Sequence, residues 1–136
     1  FSMTGQRRDL NREKFKSENL SAVLNNPESN ANKNLKYLRN AMDVRSELKQ
    51  FHPCSQMKCL SKGRSDIVVI KRGKGPESVF AIHNMTENKI NYQLNDNDLP
   101  KIIDNDFNTH DFLTSTKYNC KNISLDPFQV IWLSAL

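Results

Sequence analysis

Apolar positions in the last twelve residues, Leu125 to Leu136, alternate with the period of an extended strand: Phe128, Val130 and Trp132 point one way, Ile131, Leu133 and Ala135 the other. Both faces are apolar, which predicts a strand buried on both sides. Pro127 stands at its entrance, where a missing N–H does least damage, and Asp126-Pro127 marks the preceding turn. Two further apolar runs, Ile67-Val68-Val69-Ile70 and Ser78-Val79-Phe80-Ala81-Ile82-His83-Asn84, are joined through Gly73-Lys74-Gly75-Pro76. Their β-branched composition and the glycine-rich connection predict a hairpin of buried strands with a tight turn. Lys89 to Leu94 alternates cleanly, with Ile90, Tyr92 and Leu94 inward, as in a sheet with one wet face. Gln56 to Ser61, Asp111-Phe112-Leu113-Thr114 and Asn122-Ile123-Ser124-Leu125 are shorter strand candidates.

Before Pro53 the period is helical. Ser17 and Glu18, followed by Leu20, Val23 and Leu24, predict a short helix that Asn25-Asn26-Pro27 stops. Ser29 or Asn30 then caps a longer helix from Ala31 to about Phe51, in which Leu35, Leu38, Met42, Leu48 and Phe51 recur at helical spacing. His52-Pro53 ends it, because a proline disfavours helical geometry in the residue before it. The single apolar stripe must lie on something, and we expect it to dock on the strands or on a second copy. Residues 1–16 have no period and read as a loop. Helices followed by strands with no helices between them predict an α+β chain: one or two helices, then an antiparallel all-β sandwich.

Composition changes this picture little. At 136 residues the chain holds one ordinary domain, or a small domain with an appendage. No apolar run approaches the roughly 20 residues of a membrane-spanning helix. The opening Phe1-Ser2-Met3-Thr4-Gly5 lacks the basic start and apolar centre of a signal peptide, and the chain reads as a piece of something longer. Its formal charge of +5 divides unevenly, with the excess of Lys and Arg before residue 76 and the excess of Asp and Glu after it. Lys33, Lys36, Arg39, Arg45 and Lys49 spread along one helical stretch, which fits a solvated face better than a nucleic-acid interface. Cys54 and Cys59 are close in sequence and Cys120 is distant, which fits reduced thiols and a cytoplasmic setting.

Most candidate chemistry is weak. Cys54 and Cys59, with His52 adjacent and His110 distant, lack the spacing of a zinc site, so no metal is expected. Asp96-Asn97-Asp98 and Asp104-Asn105-Asp106 lack the glycine and terminal glutamate of a calcium loop. No serine, threonine or cysteine combines with a histidine and an acid in a triad pattern, and His83 alternates with apolar residues as a core or interface histidine would. The first loop is different. Arg7-Arg8-Asp9-Leu10-Asn11-Arg12 packs three guanidinium groups into six residues, and planar guanidinium forks suit sugar hydroxyls, carboxylates and phosphates.

Here the sequence resembles a known family. Gly5-x-x-Arg8-Asp9-Leu10-Asn11-Arg12 is similar to the Gly-x-x-Arg-Asp-Ile-Asn-Arg signature of the sucrose phosphorylase-like subfamily of glycoside hydrolase family 13, the α-amylase family. The order of later features agrees: a helix ending at Phe51-His52-Pro53, a strand Val79 to Thr86 that resembles one ending in His-Asn-x-Ser/Thr, and Leu125-Asp126-Pro127-Phe128-Gln129-Val130-Ile131-Trp132-Leu133, similar to a closing Leu-x-Pro-Tyr-Gln-x-x-Trp-Leu strand. The resemblance implies that residues 1–53 are the end of a (β/α)8 catalytic barrel and residues 54–136 a C-terminal antiparallel β domain. It implies a retaining parent enzyme that moves a glucosyl group between an α-glucoside and phosphate, without a cofactor. That chemistry needs two carboxylates. No stretch here matches the motifs that carry them, so no catalytic residue is expected in this chain and the β domain is expected to be structural support. Arg8 fits the arginine that lines the glucosyl subsite in the family. The competing reading is a stand-alone, non-catalytic β module that binds carbohydrate or an anion. A sugar platform of that kind needs Tyr92, Tyr118 and Phe112 exposed on one face.

Overall fold

The computed structural model describes residues 16–95, 97–99 and 108–135. Two compact units divide after Asn40. The first holds α1 (Ser17–Asn25) and the start of α2 (Asn30–Glu47). Ser29 caps α2 by accepting the Asn32 N–H at 3.0 Å, and its hydroxyl reaches back to the Val23 carbonyl at 2.6 Å. The buried Asn32 side chain donates to the Leu24 carbonyl, so the turn between the helices is closed by polar bonds rather than by apolar packing. Leu38 and Met42 of the apolar stripe are 58% and 69% exposed.

The helix does not run to Phe51 as its periodicity predicts. It ends at Glu47, Leu48 turns extended, and Lys49–Phe51 forms a single 3₁₀ turn. That turn is held from the strands: the Arg72 guanidinium donates to the Gln50 carbonyl at 3.1 Å and the His52 carbonyl at 2.7 Å. Leaving the helix early lets the Phe51 ring lie 4.6 Å from that of Trp132, tilted by 41°.

The rest of the second unit is β1 (Met57–Cys59), β2 (Ile67–Arg72), β3 (Val79–Asn84), β4 (Ile90–Tyr92), β5 (Asn108–His110), β6 (Lys117–Asn119), β7 (Ile123–Leu125) and β8 (Val130–Ser134). Every pairing is antiparallel. The main sheet runs β1-β2-β3-β8, with two smaller sheets, β4-β7 and β5-β6. Val69, Ile82 and Ile131 align across the main sheet, and so do Phe80 and Leu133. These side chains are fully buried against Leu94, Cys120, Ile123 and Leu125, which come from the β4-β7 sheet and its flanking loops. The α+β expectation, helices followed by an antiparallel β sandwich, therefore holds. The predicted hairpin is β2-β3. Its connection is not tight: it spans residues 73–78 and contains a helical turn, Gly75–Glu77. Gly73 adopts φ +82° there.

Two strand expectations are corrected. Asp111 to Thr114 is a turn. The Asp111 carboxylate, 0% exposed, accepts the Trp132 N–H at 2.7 Å, the Leu113 N–H at 3.2 Å and the Thr114 hydroxyl at 2.7 Å. A short acidic side chain that captures nearby backbone donors favours a turn over a strand. The closing strand is buried on one face only. Ile131, Leu133 and Ala135 are fully buried, Val130 and Trp132 half-buried, and Phe128, 66% exposed, sits in the preceding turn at φ +54°.

Candidate functional site

Arg8, the one residue expected to touch sugar, lies outside the described residues, as do Arg7, Asp9, Asn11 and Arg12. Two of the other motifs meet. Asn84, buried at the end of β3, donates through Nδ2 to the Asn88 carbonyl at 2.7 Å and the Asp126 carbonyl at 2.8 Å, and its Oδ1 accepts the Thr86 N–H and hydroxyl, both at 2.9 Å. From the other side, Gln129 Oε1 accepts the Asp126 N–H at 2.8 Å and its Nε2 donates to the Tyr118 hydroxyl at 3.0 Å. The Gln129 carbonyl accepts the Asn84 N–H at 2.9 Å, and Phe128 N–H reaches the Thr86 carbonyl at 3.0 Å. His83-Asn84-Met85-Thr86 and Asp126-Pro127-Phe128-Gln129 thus build one corner that locks the turn after β3 to the turn before β8. Neutral amides with their donors and acceptors filled hold backbone; they do not move protons.

The second feature is the outward face of the main sheet. Ile70, Ala81 and Trp132 align across it in one row, and Val68, His83 and Val130 in another. Ile70, Ala81, His83 and Trp132, together with Phe51, Met57, Arg45 and Arg72, line an open cavity of about 460 Å³. Burial pushes the His83 imidazole below its ordinary value, which favours the neutral ring. Among the described residues no carboxylate or nucleophile is hydrogen-bonded to His83, so the lining shows no acid–base pair.

Tyr92, Tyr118 and Phe112 do not form an exposed sugar platform. All three are half-buried. Tyr92 packs against the core with the Arg64 guanidinium 5.7 Å from its ring centre, Tyr118 is tied to Gln129, and Phe112 meets the His110 ring edge-on at 5.0 Å. Burial raises both tyrosine hydroxyl pKa values. Polar groups concentrate elsewhere at the Lys58–Asp98 ion pair, 2.7 Å, where Lys71 also donates to the Asp98 carbonyl at 2.5 Å. Cys54 and Cys59 are exposed and Cys120 is buried. Burial pushes the Cys120 thiol up to about 11. Among the described residues no three His, Cys, Asp or Glu side chains gather as metal ligands would, and no helix is long and apolar enough to cross a membrane.

No protein-family profile matches the chain, and no curated protein is similar to it. Solved structures are. The fold is similar to part of AmyP, determined in complex with maltose, with a TM-score of 0.63 at 16% identity over 79% of this chain and 21% of AmyP. It is similar to part of Bacillus licheniformis trehalose-6-phosphate hydrolase, TreA, with a TM-score of 0.55 at 19% identity over 84% of this chain and 20% of TreA. A TreA mutant in complex with PNG gives a TM-score of 0.56 over 83% and 19%. The chain spans about a fifth of the length of these solved chains.

Proposed function

We propose that this chain is the C-terminal portion of an α-amylase-family enzyme of the sucrose phosphorylase-like type, with residues 1–53 closing the (β/α)8 barrel and residues 54–136 forming the β domain that braces it. The observation that carries this reading is the likeness in fold to two sugar-active proteins over about a fifth of their length, in a chain whose four family-like motifs stand in the family's order. The parent is a cytoplasmic glucosyltransferase that exchanges a glucosyl group between an α-glucoside and phosphate. Its two catalytic carboxylates lie in the barrel, and this chain alone is inactive. Arg8 lines the glucosyl subsite and pairs there with an acidic residue of the barrel. The exposed stripe of Leu38 and Met42 is covered by the barrel in the parent; in the isolated chain it favours self-association. The half-buried state of Tyr92, Tyr118 and Phe112 speaks for this reading over a stand-alone sugar-binding module.

The test is the coding sequence preceding Phe1. Two barrel-strand motifs bearing a nucleophilic and an acid–base carboxylate are expected there, and the extended protein should consume inorganic phosphate when given sucrose or a related α-glucoside. Arg8→Ala in that protein should lower kcat/KM by at least about a hundredfold, the loss of a charge-assisted contact at the reacting sugar. An upstream sequence without the motifs overturns the proposal.

A further inference from the structure

Lysines rarely face the inside of a sandwich. Lys58 of β1 and Lys71 of β2 stand directly opposite each other in the antiparallel ladder, Lys71 stands opposite Phe80, and Phe80 opposite Leu133. Phe80 and Leu133 are fully buried, so the two lysines occupy the inward face of the sheet at its β1 edge. Like charges directly opposite in a ladder repel each other. The Lys71 ammonium is 5.3 Å from the centre of the Phe80 ring. Asp98 meets both lysines, on a turn flanked by the core residues Leu94 and Leu99. Its carboxylate accepts the Lys58 ammonium at 2.7 Å and its backbone carbonyl that of Lys71 at 2.5 Å. The carboxylate offsets one of the two charges. Lys71 forms no ion pair among the described residues, and burial pushes its ammonium below the ordinary lysine value, with Asp98 opposing the shift and Lys58 reinforcing it.

The cavity there measures about 180 Å³ and is lined by Gln56, Lys58, Lys71, Lys74, Asn97 and Asp98, with Gly73 and Gly75. Pockets for drug-sized ligands begin at roughly 300 Å³, so this one suits a small ion. Three lysines and, among the described residues, one carboxylate line it, a surplus of two positive charges. We propose that this corner binds a phosphate group, free or as the end of a phosphomonoester, between the ammonium groups of Lys58 and Lys71, with Lys74 in the lining. A carboxylate ligand would match one surplus charge; a phosphate dianion matches both. The side-chain amides of Gln56 and Asn97 carry N–H donors for the remaining oxygens. The site consists of this chain's own residues and stands whether or not the parent reading does.

The full 136-residue chain is titrated with sodium phosphate at constant ionic strength and followed by amide NMR spectra. Saturable shifts should centre on Lys58, Lys71, Asn97 and Asp98. Lys71→Gln should weaken binding about tenfold, and so should Lys58→Gln, a change at an exposed position of the edge strand that leaves the fold in place. Lys89→Gln, which removes a cation paired with Asp126 at 3.3 Å, should leave the affinity as it was. Glucose 6-phosphate in place of phosphate identifies the source: binding at least as tight assigns the corner to a phosphomonoester, and weaker binding or none assigns it to the free ion. Shifts that follow ionic strength alone, or that centre on Arg7, Arg8 and Arg12, would overturn the proposal. So would an affinity unchanged by both Lys58→Gln and Lys71→Gln, or a loss as large in Lys89→Gln as in either.

Discussion

Asp111 holds the edge of the sandwich, and removing its carboxylate should unfasten the closing strand. Its three accepted bonds join β8, through the Trp132 N–H, to the turn that begins at Asp111 itself, through the Leu113 N–H and the Thr114 hydroxyl. The backbone repeats the link where Phe112 N–H meets the Trp132 carbonyl at 2.8 Å. In Asp111→Ala two main-chain donors lose their acceptor at a site where the original side chain was 0% exposed. An orphaned buried donor costs about 1–3 kcal/mol, so the variant should be destabilised by about 3 kcal/mol. Asp111→Asn keeps one carbonyl oxygen for the two N–H groups and gives up the charge, with the Thr114 hydroxyl free to reorient. That exchange should cost only about 1 kcal/mol.

Urea unfolding followed by Trp132 emission measures both variants, since the reporter sits on the strand being tested. The ordering of the two substitutions matters more than either size. A loss below about 1 kcal/mol for alanine, or asparagine costing as much as alanine, would show that the carboxylate is not the acceptor that fixes this edge. Amide exchange at Trp132 gives an independent reading: it should quicken in Asp111→Ala more than at Ile82, two strands inward from the β5 edge.

Gly73→Ala should destabilise the chain by about 1–2 kcal/mol, because φ is +82° and an added Cβ would stand 2.9 Å from Gln50 Cγ; equilibrium unfolding tests it, and a neutral result would show that the loop reshapes freely. His83 has a folded value below its ordinary 6.5 because burial disfavours the imidazolium, so between those two values the unfolded chain binds the extra proton. Its contribution is full above about 6.5 and is lost as pH falls below it; His83→Gln should flatten that part of the stability–pH curve, and an unchanged slope would reject the assignment. Of the three thiols, Cys54 and Cys59 should react with a disulfide reagent in the native chain while Cys120, buried and pushed up to about 11, reacts only after unfolding; three fast thiols would contradict the core packing.

Where apolar spacing decides the structure, it was readable from sequence. Val69, Phe80, Ile82 and Leu133 each lie on the face their alternation predicts, and Ile90 and Tyr92 turn inward with Leu94. Where polar side chains decide, it was not. Asn108-Thr109-His110 and Lys117-Tyr118-Asn119 carry almost no apolar signal yet pair as β5 and β6, because the pairing is completed from outside: the Thr109 hydroxyl donates to the Ser134 carbonyl at 2.5 Å and Asp111 anchors the turn between them. The end of α2 failed for a related reason. Periodicity carried the helix to Phe51, but the Arg72 guanidinium holds Gln50 and His52 in a tighter turn, a contact 20 or more residues away that no local pattern contains.

The closing strand shows how the two kinds of signal combine. Its alternation predicts burial on both faces, and the fold buries only the face bearing Ile131 and Leu133, leaving Trp132 half-covered. Apolar residues on a half-open face are a demand for more cover, so the disagreement between pattern and burial is itself an indication of a missing surface. The motifs point the same way. Asn84, Thr86 and Gln129, which resemble family positions, turn out to be the fastenings of a corner and not groups of a site. Resemblance there follows the demands of the fold, and it agrees with the likeness to AmyP and TreA because both report the same architecture. The proposed catalytic identity of the parent rests on separate ground, the sequence resemblance of the arginine-rich loop around Arg8. With its face half-open, a truncating change at Trp132 should cost the isolated chain less than the roughly 3–5 kcal/mol of a fully buried aromatic, and cost more once the missing surface is in place. Equal losses in the two settings would mean that the outward face is complete as it stands.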